Sequence, residues 1–436
     1  MTDITCYKVK IKHYNNIFND TVTLYRGAVD FFIGFCLHDW DVLKELGTSY
    51  NQLRYVELHT HMTKNHPEPK CNFDVQFYKF PSYLRRSAIN TAIGKVSSYM
   101  SNLANYKSGK DNRKPSIPQA GYCFPAMYKD DSYKRPEQYS AEIKVFTQNT
   151  WKWLTVKLKK TDVDYITKRC ASRKECAPVL RKRGKEWFLD FTFKKEVKLN
   201  DTPVADQTIV AVDLGINNAC TCCVMRADGT ILDRKFLSLS REQDSLTHAI
   251  NRIKKAQQHG ARQTPRLWAK AKGINDHIAV RTAEFIIDTA ILWSADTIVF
   301  EHLDTQGKKR GGKKQRLHHW RAQYVQSMVT QKAHRLTMRI SRVNACGTSK
   351  FAYDGSGIVE RGIDGNYSIC KFQNGKIYNC DLSAFYNIGA RYFVREICKS
   401  LPETARLDIE AEVPQCSKRT TCTFSTLLSL NAALAA

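Results

Sequence analysis

The sequence has no apolar run near the roughly 18 residues that a membrane-spanning helix needs. Its opening, MTDITCYKVKIKHY, has no apolar stretch of the kind found in a secretory signal. No membrane partner is expected, and a cytoplasmic, prokaryotic-type location is. There is no internal repeat and no low-complexity tract, which sets aside solenoids, fibres and wholly disordered chains. The 15 cysteines are odd in number and, without a secretion signal, read as reduced thiols rather than a disulfide framework. CxxC spacing is scarce as well, occurring only from Cys220 to Cys223. It lies in an expected strand, where alternation sends Cys220 and Cys222 to one face and Cys223 to the other, so core packing is expected there rather than a metal.

Acids are in short supply too. Against 42 Asp and Glu stand 68 Lys and Arg, a net charge of +26. Such an excess repels itself in a compact fold unless a polyanion offsets it, and nucleic acid is the usual polyanion. The 436 residues, 42% hydrophobic and 25% charged, suit a globular protein of two to four domains with ample core.

Residues 1–200 read as mixed. Helical apolar spacing runs from Val29 to Leu46 and again from Tyr83 to Leu103. In the second stretch Leu84, Ala88, Ala92, Val96, Tyr99 and Leu103 form one stripe. A linker rich in Lys, Gly, Ser and Pro follows over 106–121. Glu142–Lys157 and Trp187–Phe193 are dense in β-branched and aromatic residues and read as strands. Basic clusters surround them, among them Arg181, Lys182 and Arg183. Beside Trp151 and Trp153 these suit a surface that tracks phosphates and stacks bases; a solvated face is the alternative.

The pattern changes after a linker near 201–206. Thr208–Leu214, Cys220–Met225 and Thr230–Leu237 read as strands, the last two separated by the turn Ala227-Asp228-Gly229. Helices are expected over Arg241–His259 and Asn275–Trp293, a strand over Asp296–Phe300, and a helix over His318–Ile340. That order predicts an RNase H-like α/β core. Asp213 closes the first strand, Glu301 follows the strand TIVF, and Asp381 begins the expected helix DLSAFYNIGARYF. Separations of 88 and 80 residues mean that only folding could join them. Hydrolysis of a phosphodiester needs a placed water and charge stabilisation on two oxygens. Two divalent ions roughly 4 Å apart supply both, and carboxylates hold hard ions such as Mg²⁺ or Mn²⁺. The basic segment Lys308, Lys309, Arg310, Lys313, Lys314 and Arg316 follows closely and suits a substrate-contacting loop, or else a solvated one.

At these residues the chain resembles the RuvC domain of the TnpB and compact type V CRISPR effector family. Ile209–Val224 (IVAVDLGINNACTCCV) looks like the first motif and Ser294–Asp304 (SADTIVFEHLD) the second. Asn379–Phe393 (NCDLSAFYNIGARYF) looks like the third, and Lys270–Ile287 is similar to the segment joining the first two. The resemblance runs from Thr208 to about Arg395, with a looser match over 1–200. It implies an α+β multidomain fold: a β-rich wedge with a helical recognition insert over 1–200, then a RuvC-like nuclease domain over 201–400. It also implies an RNA-guided DNA endonuclease with Asp213, Glu301 and Asp381 as catalytic metal ligands. The implied partners are a guide RNA, transposon- or CRISPR-derived, and double-stranded target DNA.

Two departures stand out. The family carries a CxxC…CxxC zinc ribbon between its second and third motifs, here about 346–380. Ala352 and Gly355 occupy the first two cysteine positions, Cys370 the third and Gln373 the fourth; Cys346 and Cys380 lie nearby without restoring the pattern. One thiolate of four cannot close a structural site, so no zinc is expected. Ser383 stands where the family commonly has Asn. Two alternatives stay open: a guided DNA binder that no longer cuts, and a DDE-type transposase. Residues 401–436 carry no readable signal.

Overall fold

A computed structural model describes residues 1–13, 16–64, 66–215, 219–303, 313–363 and 365–435. The chain divides into two compact units, Thr2–Lys195 and Glu196–Ala436, with Met1 joined to the second. Each mixes helices and sheets. Among the described residues no helix is long and apolar enough to cross a membrane.

The N-terminal unit opens on β1 (Thr2–Lys10), whose residues alternate between exposed and covered faces, then α1 (Ile17–His38), α2 (Trp40–Glu45), α3 (Ser49–Thr60), α4 (Phe73–Gln76) and α5 (Ser82–Lys107). Helix α1 starts well before the expected Val29, because Phe18, Val22 and Tyr25 continue its buried stripe. On α5 the residues Leu84, Ala88, Ala92 and Val96 are buried, while Tyr99 and Leu103 are half-covered. Tyr25 ties the two helices by bonding Ser87 Oγ (3.0 Å) and Thr91 Oγ1 (3.1 Å).

After the linker come β2 (Tyr133–Lys134), β3 (Ser140–Thr147), β4 (Thr150–Lys157), α6 (Lys160–Cys170), β5 (Lys174–Glu175), β6 (Val179–Arg183) and β7 (Glu186–Glu196). The single strand expected over Glu142–Lys157 is a hairpin. Gln148 and Asn149 sit at φ 50° and 57°, the left-handed pair that matches the twist of two antiparallel strands. Strands β2, β3 and β4 form one sheet; β1, β7 and β5, with β6 also on β7, form another.

The C-terminal unit is built on a five-stranded sheet ordered β10-β9-β8-β11-β12. Its strands are β8 (Thr208–Asp213), β9 (Cys220–Arg226), β10 (Ile231–Leu237), β11 (Thr297–Glu301) and β12 (Arg339–Val343). The first three make an antiparallel meander; β11 runs parallel to β8, and β12 parallel to β11. Between β10 and β12 lie α7 (Ser240–Gln258), α8 (Pro265–Leu292) and α9 (Lys313–Arg335). Helix α8 begins at Pro265, where a proline without N–H costs nothing, and so precedes the expected Asn275.

The helix expected to reach Ile340 stops at Arg335. Thr337 turns left-handed (φ 65°), the Leu336 and Met338 N–H groups close on the Ala333 carbonyl, and Ile340 lies in β12.

Central strands are buried on both faces, and alternate residues feed two cores. Val210, Val212, Cys220, Cys222 and Val224 pack with Ala283 and Ile286 of α8 and Val325 and Val329 of α9. Ile209, Ala211, Cys223 and Met225 face the other way, onto α10 (Cys380–Ser400). The chain then adds α11 (Glu403–Glu412) and α12 (Phe424–Ala435), and Leu427 and Leu430 of α12 join that second core. Before α10, the strands β13 (Glu360–Ile363), β14 (Asn366–Lys371) and β15 (Ile377–Asn379) form a small antiparallel sheet.

Helix α10 approaches the sheet at Gly389, where an added Cβ would lie 3.0 Å from the end of Met225 and 3.4 Å from Ala211 Cβ. Gly389→Leu is therefore expected to overpack this layer and destabilise the unit by about 1–3 kcal/mol. A lowered urea midpoint with unchanged slope checks this.

Candidate active site

Parallel pairing of β8 and β11 sets Phe300 opposite Val212. One step further, at the C-terminal ends of both strands, Asp213 and Glu301 emerge side by side, where open α/β sheets present their ligand sites. Asp381 joins them from the first turn of α10, whose entry is fixed by the Asn379 side chain accepting from Leu382 N (3.0 Å). All three are half-buried.

Burial pushes the Asp213 carboxyl up to about 8, and the charges of Glu301 and Asp381 add to the push. Arg361 and the Leu214 N–H pull the other way. Burial also raises Glu301, against a hydrogen bond from Thr348 and the charge of Arg391. Asp213 thus feels the charge of both other acids, on top of its burial. Among the described residues, however, no three His, Cys, Asp or Glu side chains stand at the spacing of a closed metal centre. Like charges in a low-dielectric setting hold apart unless a cation lies between them.

Glu301 is held from several sides. Thr348 Oγ1 donates to its carboxylate, and Gln326 Nε2 donates to its carbonyl (2.9 Å). Asn387 Nδ2 bonds the Thr348 and Phe351 carbonyls, each at 2.9 Å, while its Oδ1 accepts from Phe424 N (3.0 Å). The buried Arg391 guanidinium donates to four carbonyls: Asn344 (2.7 Å), Cys346 (2.8 Å), Thr420 (2.8 Å) and Cys422 (3.0 Å). Ser383 Oγ accepts from Tyr353 N (3.1 Å). Sequence reading assigned no role to Thr348, Arg361 or Arg391. One signal was available, since Ser383, Asn387 and Arg391 recur every four residues as a polar stripe on a buried helix.

The segment expected as a degenerate ribbon packs as a small apolar core. Ala352, Cys370, Phe372 and Cys380 are buried together. Cys370 donates to the Tyr378 carbonyl (3.4 Å), and burial with contact to Cys380 pushes its thiol up to about 12. Gln373 covers Gly357, and Gly355 lies against Ser425.

The expected nucleic-acid contacts divide. Lys308, Lys309 and Arg310 lie outside the described residues; Lys313, Lys314 and Arg316 belong to α9, their side chains outside the described set. In the N-terminal unit Arg181 and Arg183 share the buried Asp190 carboxylate (3.3 and 2.7 Å), and Lys182 bonds Asn19 Oδ1 (2.8 Å). Trp151 is partly buried. Its ring packs edge-on against Phe80 and tilted on Phe146, against the edge of the core. Trp153 stays 38% exposed, with Lys134 and Lys144 over its ring at 4.6 and 5.6 Å.

The Aq_aa04 family model matches residues 5–147. An uncharacterized protein, aq_aa04, of Aquifex aeolicus (strain VF5) is 33% identical over 132 residues, covering 24% of this chain and 68% of the relative. A TnpB-like protein, aq_aa05, of the same bacterium is 26% identical over 233 residues, covering 48% of this chain and 74% of the relative. Among solved structures, a Cas12f1–sgRNA–target DNA complex aligns over 88% of this chain and 98% of its own, at 15% identity and TM-score 0.34.

Arg391→Met should strand buried carbonyls that cost about 1–3 kcal/mol each when unpaired. A net loss of about 3 kcal/mol is expected, a fall in Tm of roughly 6–12 °C for a unit of this size; calorimetry measures it. Protein purified without chelator should carry well under one zinc per chain, since the ribbon retains a single cysteine of its four positions. Elemental analysis finding near-stoichiometric zinc would show that Cys346 or Cys380 is recruited.

Proposed function

We propose that this chain, which belongs to the Aq_aa04 family, is an RNA-guided DNA endonuclease that hydrolyses phosphodiesters at one acidic centre, Asp213, Glu301 and Asp381. The observation that carries the reading is the convergence of three carboxylates from β8, β11 and α10, with Asp213 feeling the charge of both Glu301 and Asp381. The strand order β10-β9-β8-β11-β12 is that of RNase H-like nucleases and supports it. So does the TnpB-like relative.

The donor set suits hard divalent cations, because every candidate ligand is a carboxylate oxygen and the crowding of negative charge favours a positive guest. Asp213, Glu301 and Asp381 would hold Mg²⁺ or Mn²⁺. Such ions supply an activated water and charge stabilisation on both the attacking and leaving oxygens. The remaining work belongs to the chain. Thr348 fixes the orientation of Glu301. Arg391 offsets its charge from the buried side, and Arg361 places a cation near Asp213, where an incoming phosphate would otherwise meet only acids.

The rest of the protein supplies recognition. Base pairing to a guide RNA would read the target, and a basic channel would hold the heteroduplex by its backbone, consistent with a net charge of +26. The unit Thr2–Lys195 takes the wedge and recognition roles.

Asp213→Ala, Glu301→Ala and Asp381→Ala should each slow cleavage by at least about 100-fold, some 2.7 kcal/mol of transition-state stabilisation. Guided binding should be largely kept, because each change removes a metal ligand rather than a phosphate contact. The assay is cleavage of matched and scrambled targets with Mg²⁺, with and without the RNA that co-purifies. Wild-type rates in two of the three variants would remove the acids from the mechanism. Equal cutting of both targets, or sequence-specific cutting without RNA, would move the protein to the transposase or general nuclease class.

A further inference from the structure

Residues 401–422 gave no signal in the sequence, yet they wall a cavity of about 1010 Å³ in the C-terminal unit. Among the described residues its lining brings six cations together, Arg342, Arg391, Arg395, Lys399, Arg406 and Arg419, against one carboxylate, Glu410. Internal pairing accounts for part of this charge. Arg391 is spent on carbonyls; Arg395 and Lys399 share Glu396 at 2.6 and 3.3 Å; Arg406 lies 3.6 Å from Glu410. Arg342 bonds only the neutral Gln326 side chain through Nε (3.2 Å), and among the described residues neither Arg342 nor Arg419 has a carboxylate partner. A concave surface with that surplus focuses positive potential and selects an anion.

Shape and chemistry narrow the anion. With a water radius added at each wall, a cube of that volume is about 13 Å on edge, less than the ~12 Å major and ~6 Å minor grooves of a duplex taken together, so a single strand fits it and a duplex does not. Among the described residues no Phe, Tyr or Trp lines the cavity, so none of them offers a stacking platform for bases. Guanidinium and ammonium groups without aromatics fit the phosphates of a chain held by its backbone. The cavity also reaches the residue next to Glu301. His302, which follows Glu301, lines it and donates its N–H to the Val343 carbonyl (2.8 Å); Val343 pairs with Glu301 across β11 and β12.

We propose that this cavity is a phosphate subsite, built by the segment after α10, that grips one single nucleic-acid strand by its backbone beside the carboxylate cluster. Its role in cleavage rests on the nuclease reading; its affinity for a single strand does not.

The test is equilibrium binding of a fluorescent 12-nucleotide single strand to the full-length chain in EDTA, across a salt series, with DNA and RNA versions. Lys399→Gln combined with Arg419→Gln removes two exposed cations. It should weaken both oligonucleotides about tenfold and reduce the slope of log K against log salt by about 1.4, at roughly 0.7 per phosphate for single strands. Glu410→Gln should act in the opposite direction and tighten binding. The two opposite signs separate a lost contact from a lost fold. Unchanged slope and affinity in the double variant, weakening by both sets of changes, or displacement of pyrophosphate alone with oligonucleotide binding untouched would each overturn the subsite. Wild-type cleavage of guided targets is scored separately. A protein that shows these binding changes yet never cuts keeps the subsite and loses the nuclease reading, and the reverse result does the opposite.

Discussion

Three like charges cannot be held close together in a partly buried place by attraction, so the scaffold around Asp213, Glu301 and Asp381 has to do it by stiffness. Strand β8 is clamped between two apolar cores, and β11 is paired in register with strands on both sides. Helix α10 meets the sheet so closely at Gly389 that a larger residue has little room. Close-packed interiors resist displacement because any shift opens voids or forces clashes. That resistance keeps the carboxylates near one another although burial, first, and their mutual repulsion, second, both push the Asp213 carboxyl toward its protonated form.

The polar layer behind the acids works differently. Arg391 and Asn387 donate to backbone carbonyls and so stitch loops rather than fill space. Through Thr348 this layer sets the direction of the Glu301 carboxylate, a degree of freedom that apolar packing leaves open.

The sequence was most legible where one periodicity governed a whole element. Alternation in TIVAVD and CTCCV gave the two-sided burial of the central strands, and with it the facing of the three cysteines. The strand-end position of Glu301 and the start of α10 at the third acid were legible for the same reason. Misreadings arose where a single residue overrides a pattern. Thr337 in a left-handed conformation ends α9 and frees RISRV to become a strand, and Gln148-Asn149 folds one apparent strand into two. Neither carries the glycine that usually marks such a turn. The partners of Arg391 were illegible for another reason: they are main-chain carbonyls 29 to 47 residues away, and a carbonyl has no letter in the sequence.

Arg391 and Asn387 take part of their bonding from Thr420, Cys422 and Phe424. Those residues leave the ribosome about 120 positions after Glu301, several seconds later at usual rates of synthesis. Until then the polar layer is open and the Glu301 carboxylate lacks its fixed setting. The acidic centre is thus timed as well as placed: a nascent or prematurely ended chain can already complete its N-terminal unit while the surroundings of its carboxylates are still unassembled.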